Sequence, residues 1–92
     1  MKVVWTEAAI ADLDSILSYT AQHHLSELDA VERRIRAVAE RLGQWPESAR
    51  TVEQRVGVRV APLVRYPYRV FYRITDAAVE ILHVHHSARD LP

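Results

Sequence analysis

The sequence predicts an α+β domain: an N-terminal strand, an antiparallel two-helix hairpin, then a three-stranded antiparallel meander, with the helices packed on one face of the sheet. Helical apolar spacing is confined to the first half of the chain, β-rich runs with alternating character fill residues 58 to 86, and turn-forming residues separate them. Ninety-two residues suffice for one domain, here residues 1–92, and bury only about 60–70% of the surface that the unfolded chain exposes.

Residues 2 to 5, KVVW, are β-branched and aromatic and read as the opening strand. Thr6 is placed to cap a helix with Glu7 in its first turn. Ala9, Ile10, Leu13, Ile16, Leu17, Thr20 and Ala21 then recur at helical spacing, with Asp12, Asp14, Ser15, Ser18 and Gln22 elsewhere. HHLS at 23 to 26 breaks the pattern, and Ser26 with Asp29 three residues on signals the cap of a second helix. Its apolar seam is Leu28, Val31, Ile35, Val38 and Leu42, and Gly43 is placed to end it. Residues 44 to 56 carry Pro46 and no sustained period, and read as a loop. The strands of the meander are VRVAPLV (58 to 64), YRVFYRI (68 to 74) and AVEILHVHH (78 to 86), with turns at 65 to 67 and 75 to 77. Pro62 implies an edge position or a bulge.

Composition closes off several chemistries. There is no cysteine, which excludes disulfides, a thiol nucleophile and a cysteine-based zinc site. Gly43 and Gly57 are the two glycines, too few for a nucleotide-binding loop, and no serine sits in a nucleophile elbow. Neither a membrane span nor a signal peptide is legible, so the expected location is the cytoplasm. The formal net charge of zero hides an asymmetry: residues 1–49 hold 5 Lys+Arg against 8 Asp+Glu, and the remainder 7 against 4. Eleven of the twelve cations are arginine, whose planar fork suits bidentate pairing with carboxylate or phosphate.

Arg65, Arg69 and Arg73 recur at a spacing of four in RYPYRVFYR. In a continuous strand they would share a face at steps of about 13 Å. On the middle strand Tyr68, Val70, Tyr72 and Ile74 alternate with Arg69, Phe71 and Arg73, and the first set suits a helix-covered face. On the last strand, simple alternation sets Glu80, Leu82, Val84 and His86 against Val79, Ile81, His83 and His85. If Leu82 and Val84 pack under the helices, His83 and His85 join the arginines on the open face. Cations interleaved with an aromatic suit nucleic acid or an acidic protein segment, or form a merely solvated surface.

HVHH at 83 to 86 admits three readings. His83 and His85 have metal-ligand spacing, but with no cysteine and only Glu80 or Asp90 as nearby carboxylates, no metal is expected. Imidazoles beside arginines could do acid–base work on a phosphodiester. They could equally be ordinary polar strand residues, with His86 hydrogen-bonded in the core.

VVWTEAAIADLDSILSY, YRVFYRI and ILHVHHSAR together resemble the RelE/ParE superfamily of type II toxins over nearly the whole chain. The strand holding Arg69 and Tyr72, and the closing His86-Ser87-Ala88-Arg89, similar to a terminal H-x-x-R, carry the resemblance most specifically. It implies a growth-inhibiting toxin neutralised by a cognate antitoxin, ParD-like, with a ribbon–helix–helix region and a flexible C-terminal segment; DNA would be met only through that antitoxin. The ParE branch poisons DNA gyrase without known hydrolytic residues of its own. The RelE branch cleaves messenger RNA on the ribosome with basic sheet residues and a C-terminal Tyr, or His and Tyr. Ser87 and Ala88 stand where such a tyrosine is expected, and only Arg55 and Arg59 lie near the missing lysine-rich strand. Both departures favour the ParE branch, with Arg65, Arg69, Phe71, Arg73 and Arg89 as partner-binding residues and no cofactor. In the nuclease alternative Arg69, His83 and His85 would be catalytic. A binding module without toxicity is the third reading.

Overall fold

Thr6 ties the start of the chain to its last strand. Its Oγ1 accepts from the Ala9 N–H at 3.2 Å, the predicted cap, and donates to the Ile81 carbonyl at 2.8 Å. The computed structural model describes residues 1–87. The elements are β1 (Lys2–Trp5), α1 (Glu7–His23), a 3-10 turn (Leu25–Glu27), α2 (Leu28–Gln44), β2 (Arg50–Thr51), β3 (Val58–Pro62), β4 (Tyr68–Ile74) and β5 (Ala78–His86). The strands form one sheet in the order β1-β5-β4-β3-β2, with β1 parallel to β5 and the other pairs antiparallel. The predicted meander is β3-β4-β5.

The helices cover one face. Ala9 and Leu13 of α1, and Val31, Ile35, Ala39 and Leu42 of α2, join Val70, Tyr72, Val79, Ile81 and Val84 in the core. Each such large side chain, fully buried, contributes about 1.5–3 kcal/mol. Ile10, assigned by its spacing to the apolar stripe, is 48% exposed. Thr20 is buried but satisfied, its hydroxyl donating to the Ile16 carbonyl at 2.7 Å.

Four local expectations are corrected. Ser26 does not cap α2: residues 25–27 form the 3-10 turn, closed by the Glu27 N–H on the His24 carbonyl at 2.8 Å, and Glu27 precedes the helix without a side-chain cap. Gly43 does not end α2, which runs to Gln44. A Cβ on Gly43 would lie 2.7 Å from the Met1 carbonyl oxygen and 2.8 Å from Val3 Cγ2, so the glycine permits close approach to β1. Arg50–Thr51, inside the expected loop, pair with Val60 and Arg59 as a fifth strand too short to show a period. The first meander strand stops at Pro62 rather than at residue 64; that proline lies beyond the span paired with β2, so its missing N–H disrupts no ladder there.

A fifth correction concerns faces. The β4–β5 register passes from Phe71↔His83 to Tyr72↔Ile81, leaving Leu82 as an extra residue in a bulge. Alternation is reset there, so Val79 and Ile81 before the bulge and Val84 after it all reach the helix-covered core. Glu80, His83 and His85 fall on the other face.

Candidate functional site

On the open face of β4, Arg69, Phe71 and Arg73 alternate as their spacing predicts. Their cross-strand neighbours on β5 are His85, His83 and Glu80. Arg73 Nε donates to Glu80 Oε1 at 2.7 Å, an exposed ion pair within the chain. Phe71 is 8% exposed, packed beside the buried Val60 across β3 and with its ring centroid 5.4 Å from that of His85. It fills the face rather than presenting a stacking platform.

Arg65 does not join this row. It lies in the turn before β4 at φ +82, a left-handed conformation that non-glycine residues seldom adopt, so the four-residue spacing does not continue along a strand. It lines a groove of about 1080 Å³ between the helix hairpin and the far end of β4–β5, together with Tyr19, Glu27, Tyr66 and His86. Arg89 lies outside the described residues.

His83 and His85 do share the open face with the arginines, and a residue that sequence reasoning missed joins them. Asp12 Oδ2 lies 3.0 Å from His83 Nδ1 and 4.0 Å from His85 Nε2, and accepts the Val84 N–H at 3.0 Å. The carboxylate comes from α1 and not from Glu80, which pairs with Arg73; Asp90 lies outside the described residues. Thr6 anchors the helix at Ile81 and the bulged Leu82. Six helical residues rise about 9 Å, and two strand residues past Leu82 advance about 7 Å, so Asp12 and Val84 arrive level. The signal was present: Asp12 is three residues after Ala9 and four before Ile16, on the flank of the buried stripe. All three side chains are about one-third exposed.

Tyr72 and Arg59 sit together on the helix-covered side. Tyr72 donates its hydroxyl to the Pro46 carbonyl at 2.6 Å, and Arg59 Nη1 donates to the Ala49 carbonyl at 2.7 Å. Both fasten the segment after α2 to the sheet, so Arg59 is a structural cation and not part of the open face. Burial pushes the Tyr72 phenol above its ordinary pKa, outweighing the lowering by the Ala49 backbone and the Arg59 charge.

Among the described residues, no helix is long and apolar enough to cross a membrane. A family model described as the ParE toxin of type II toxin–antitoxin system, parDE, matches residues 3–91. A curated protein of Caulobacter vibrioides, Toxin RelE2, is 32% identical over 88 residues, covering 96% of this chain and 97% of its own. Of solved structures, a chain of the chromosomal ParDE system from P. aeruginosa superposes with a TM-score of 0.83 at 25% identity, over 94% of this chain and 95% of that one. A chain of the RelBE2 toxin–antitoxin complex from Mycobacterium tuberculosis gives 0.59 at 27% identity, over 92% and 95%.

Proposed function

The chain belongs to the ParE toxin family of type II toxin–antitoxin systems, within the RelE/ParE superfamily, and on that premise we propose that its target is DNA gyrase and its resting partner a ParD-like antitoxin. The observation that carries this reading is the contrast in backbone similarity: at near-equal coverage and identity, the ParDE chain matches at 0.83 and the RelBE2 chain at 0.59. Ser87 and Ala88, in place of a C-terminal tyrosine, support the same branch.

The antitoxin is assigned the open face and the groove around Arg65. Arg69 and Arg73 would meet acidic antitoxin side chains there, with Phe71 supporting the surface from beneath. Arg89 belongs to the same proposed set.

Supercoiling by purified gyrase in the presence of the toxin tests the target. Inhibition with accumulation of DNA cleavage intermediates is expected. Transcripts cut in translating extracts, with gyrase unaffected, would overturn the reading.

A second reading, ribosome-dependent RNA cleavage, is favoured by one specific contact: the Asp12 carboxylate orients the His83 imidazole on the face that bears Arg69 and Arg73. A carboxylate–imidazole pair beside guanidinium groups is suited to proton transfer at a phosphodiester. The name Toxin RelE2 of the curated relative also leans this way. Under this reading His83→Ala and His85→Ala abolish toxicity; under the gyrase reading the same strains stop growing.

A further inference from the structure

We infer that Asp12, His83 and His85 form a binding site for a divalent transition-metal ion of the zinc class at the seam between α1 and β5. The inference stands on geometry and applies to either target. One ligand atom from each of the three residues lies within 4.8 Å of the others, with the Asp12–His83 and Asp12–His85 pairs at 3.0 and 4.0 Å. Zinc–ligand bonds of about 2.0–2.2 Å at tetrahedral angles put neighbouring ligand atoms roughly 3.3 Å apart. The cluster therefore brackets that separation.

The donor set selects the metal. Two imidazole nitrogens and one carboxylate suit zinc, nickel, copper or ferrous iron, whereas magnesium and calcium require oxygen-rich shells. Two features of the chain prepare the site. Val84 N–H holds the carboxylate by the oxygen nearest His83, the kind of outer contact that fixes a metal ligand's orientation. The β-bulge at Leu82 places His83 and His85, two apart on one face, next to the edge along which α1 runs. Partial exposure of all three side chains leaves a route for the ion and a fourth position for water. Arg69 lies across the sheet from His85, so a guanidinium stands on the same face as the site.

Calorimetric titration of the chelator-treated full chain with Zn²⁺, and in parallel with Mg²⁺, provides the test. One Zn²⁺ per chain and no Mg²⁺ is expected, with a rise in melting temperature because the ion ties α1 to β5 in the folded state alone. The double variant His83→Ala/His85→Ala should weaken Zn²⁺ binding by at least about tenfold. The variant His23→Ala/His24→Ala, which removes the adjacent pair at the end of α1, should not. Asp12→Asn retains an oxygen to accept the Val84 N–H while removing the anionic ligand, so it should lose affinity and still fold. Should the site variants not fold, ring nitrogen chemical shifts of the unaltered protein decide: His83 and His85 should both move on adding Zn²⁺. Absence of saturable binding, binding equal for Mg²⁺, persistence in the double variant, or shifts confined to His23, His24 or His86 would each overturn the site.

Discussion

The two faces of the sheet are built from the same strands and resist change to different degrees. Behind β4 and β5, Val70, Tyr72, Val79, Ile81 and Val84 are sealed by the helix hairpin. In front, Arg69, Arg73, Glu80, His83 and His85 meet one another and solvent, over a small filling of Phe71 and Val60. Burial energy on the first face is collective and depends on close packing. On the second, the contacts are single ion pairs and ring contacts, each worth little in water. The sheet is thus a stable support with a chemically loaded surface that can be altered without unfolding the chain.

The largest expected effects come from breaking the sealed face. Ile35 and Ile81 are fully buried, and Ile81→Ala should destabilise by about 2–5 kcal/mol in denaturant titration, the range for large-to-small core changes. Gly43→Ala should cost about 1–3 kcal/mol, because the added methyl meets backbone at Met1, which cannot rotate away. A neutral Gly43→Ala would show that α2 and β1 separate easily and that the close approach carries no constraint.

An intermediate effect comes from Tyr72, a polar tip inside the sealed face whose phenol burial holds above its ordinary pKa. Tyr72→Phe removes the bond to the Pro46 carbonyl and should cost about 0.5–1.5 kcal/mol. Its pH dependence has a definite sign. The folded-state pKa is raised above the unfolded value of about 10, so the unfolded chain releases this proton first. The contribution is complete below pH ~10 and is lost as pH rises through the folded pKa. Tyr72→Phe should therefore flatten the alkaline decline in stability, as read from melts between neutral pH and pH ~11.

The sealed face was the more legible of the two. β1, α1 and β4 follow the sequence pattern closely, and β5 follows it in its bounds, since periodicity and the Thr6 cap are local signals. Gly43 misled because a helix-ending glycine and a close-packing glycine look alike in sequence. β2 escaped because two residues cannot display alternation, and Val79 and Ile81 changed sides because a bulge has no signature in AVEILHVHH. On the open face, Arg69, Phe71 and Arg73 were placed from strand period alone, and His83 and His85 on the condition that Leu82 and Val84 pack under the helices, which Val84 meets and the bulged Leu82 does not. Asp12 was not placed there, since its meeting with His83 spans 71 positions and depends on where Thr6 anchors the helix.

The smallest expected effects test whether the open face is the antitoxin surface, and they separate its two arginines. Arg73 already neutralises Glu80, so Arg73→Ala exposes a carboxylate as it removes a cation, and should weaken antitoxin binding by only a few tenths of a kcal/mol. Arg69 lies across the strands from His85, which lines the groove around Arg65 that is also assigned to the antitoxin. Arg69→Ala should cost about 1 kcal/mol, roughly fivefold in Kd. Both losses should shrink as salt rises, because a Debye length of about 10 Å at 0.1 M falls to about 3 Å at 1 M. Folding should be nearly unaffected in either variant, which keeps the affinity change interpretable. Unchanged affinity for Arg69→Ala at low salt would move the antitoxin off this face and leave the groove around Arg65 as its seat. A loss that persists at high salt would instead mean that Arg69 acts through packing on the sheet, which would make the front face more like the back than the exposed ion pair there implies.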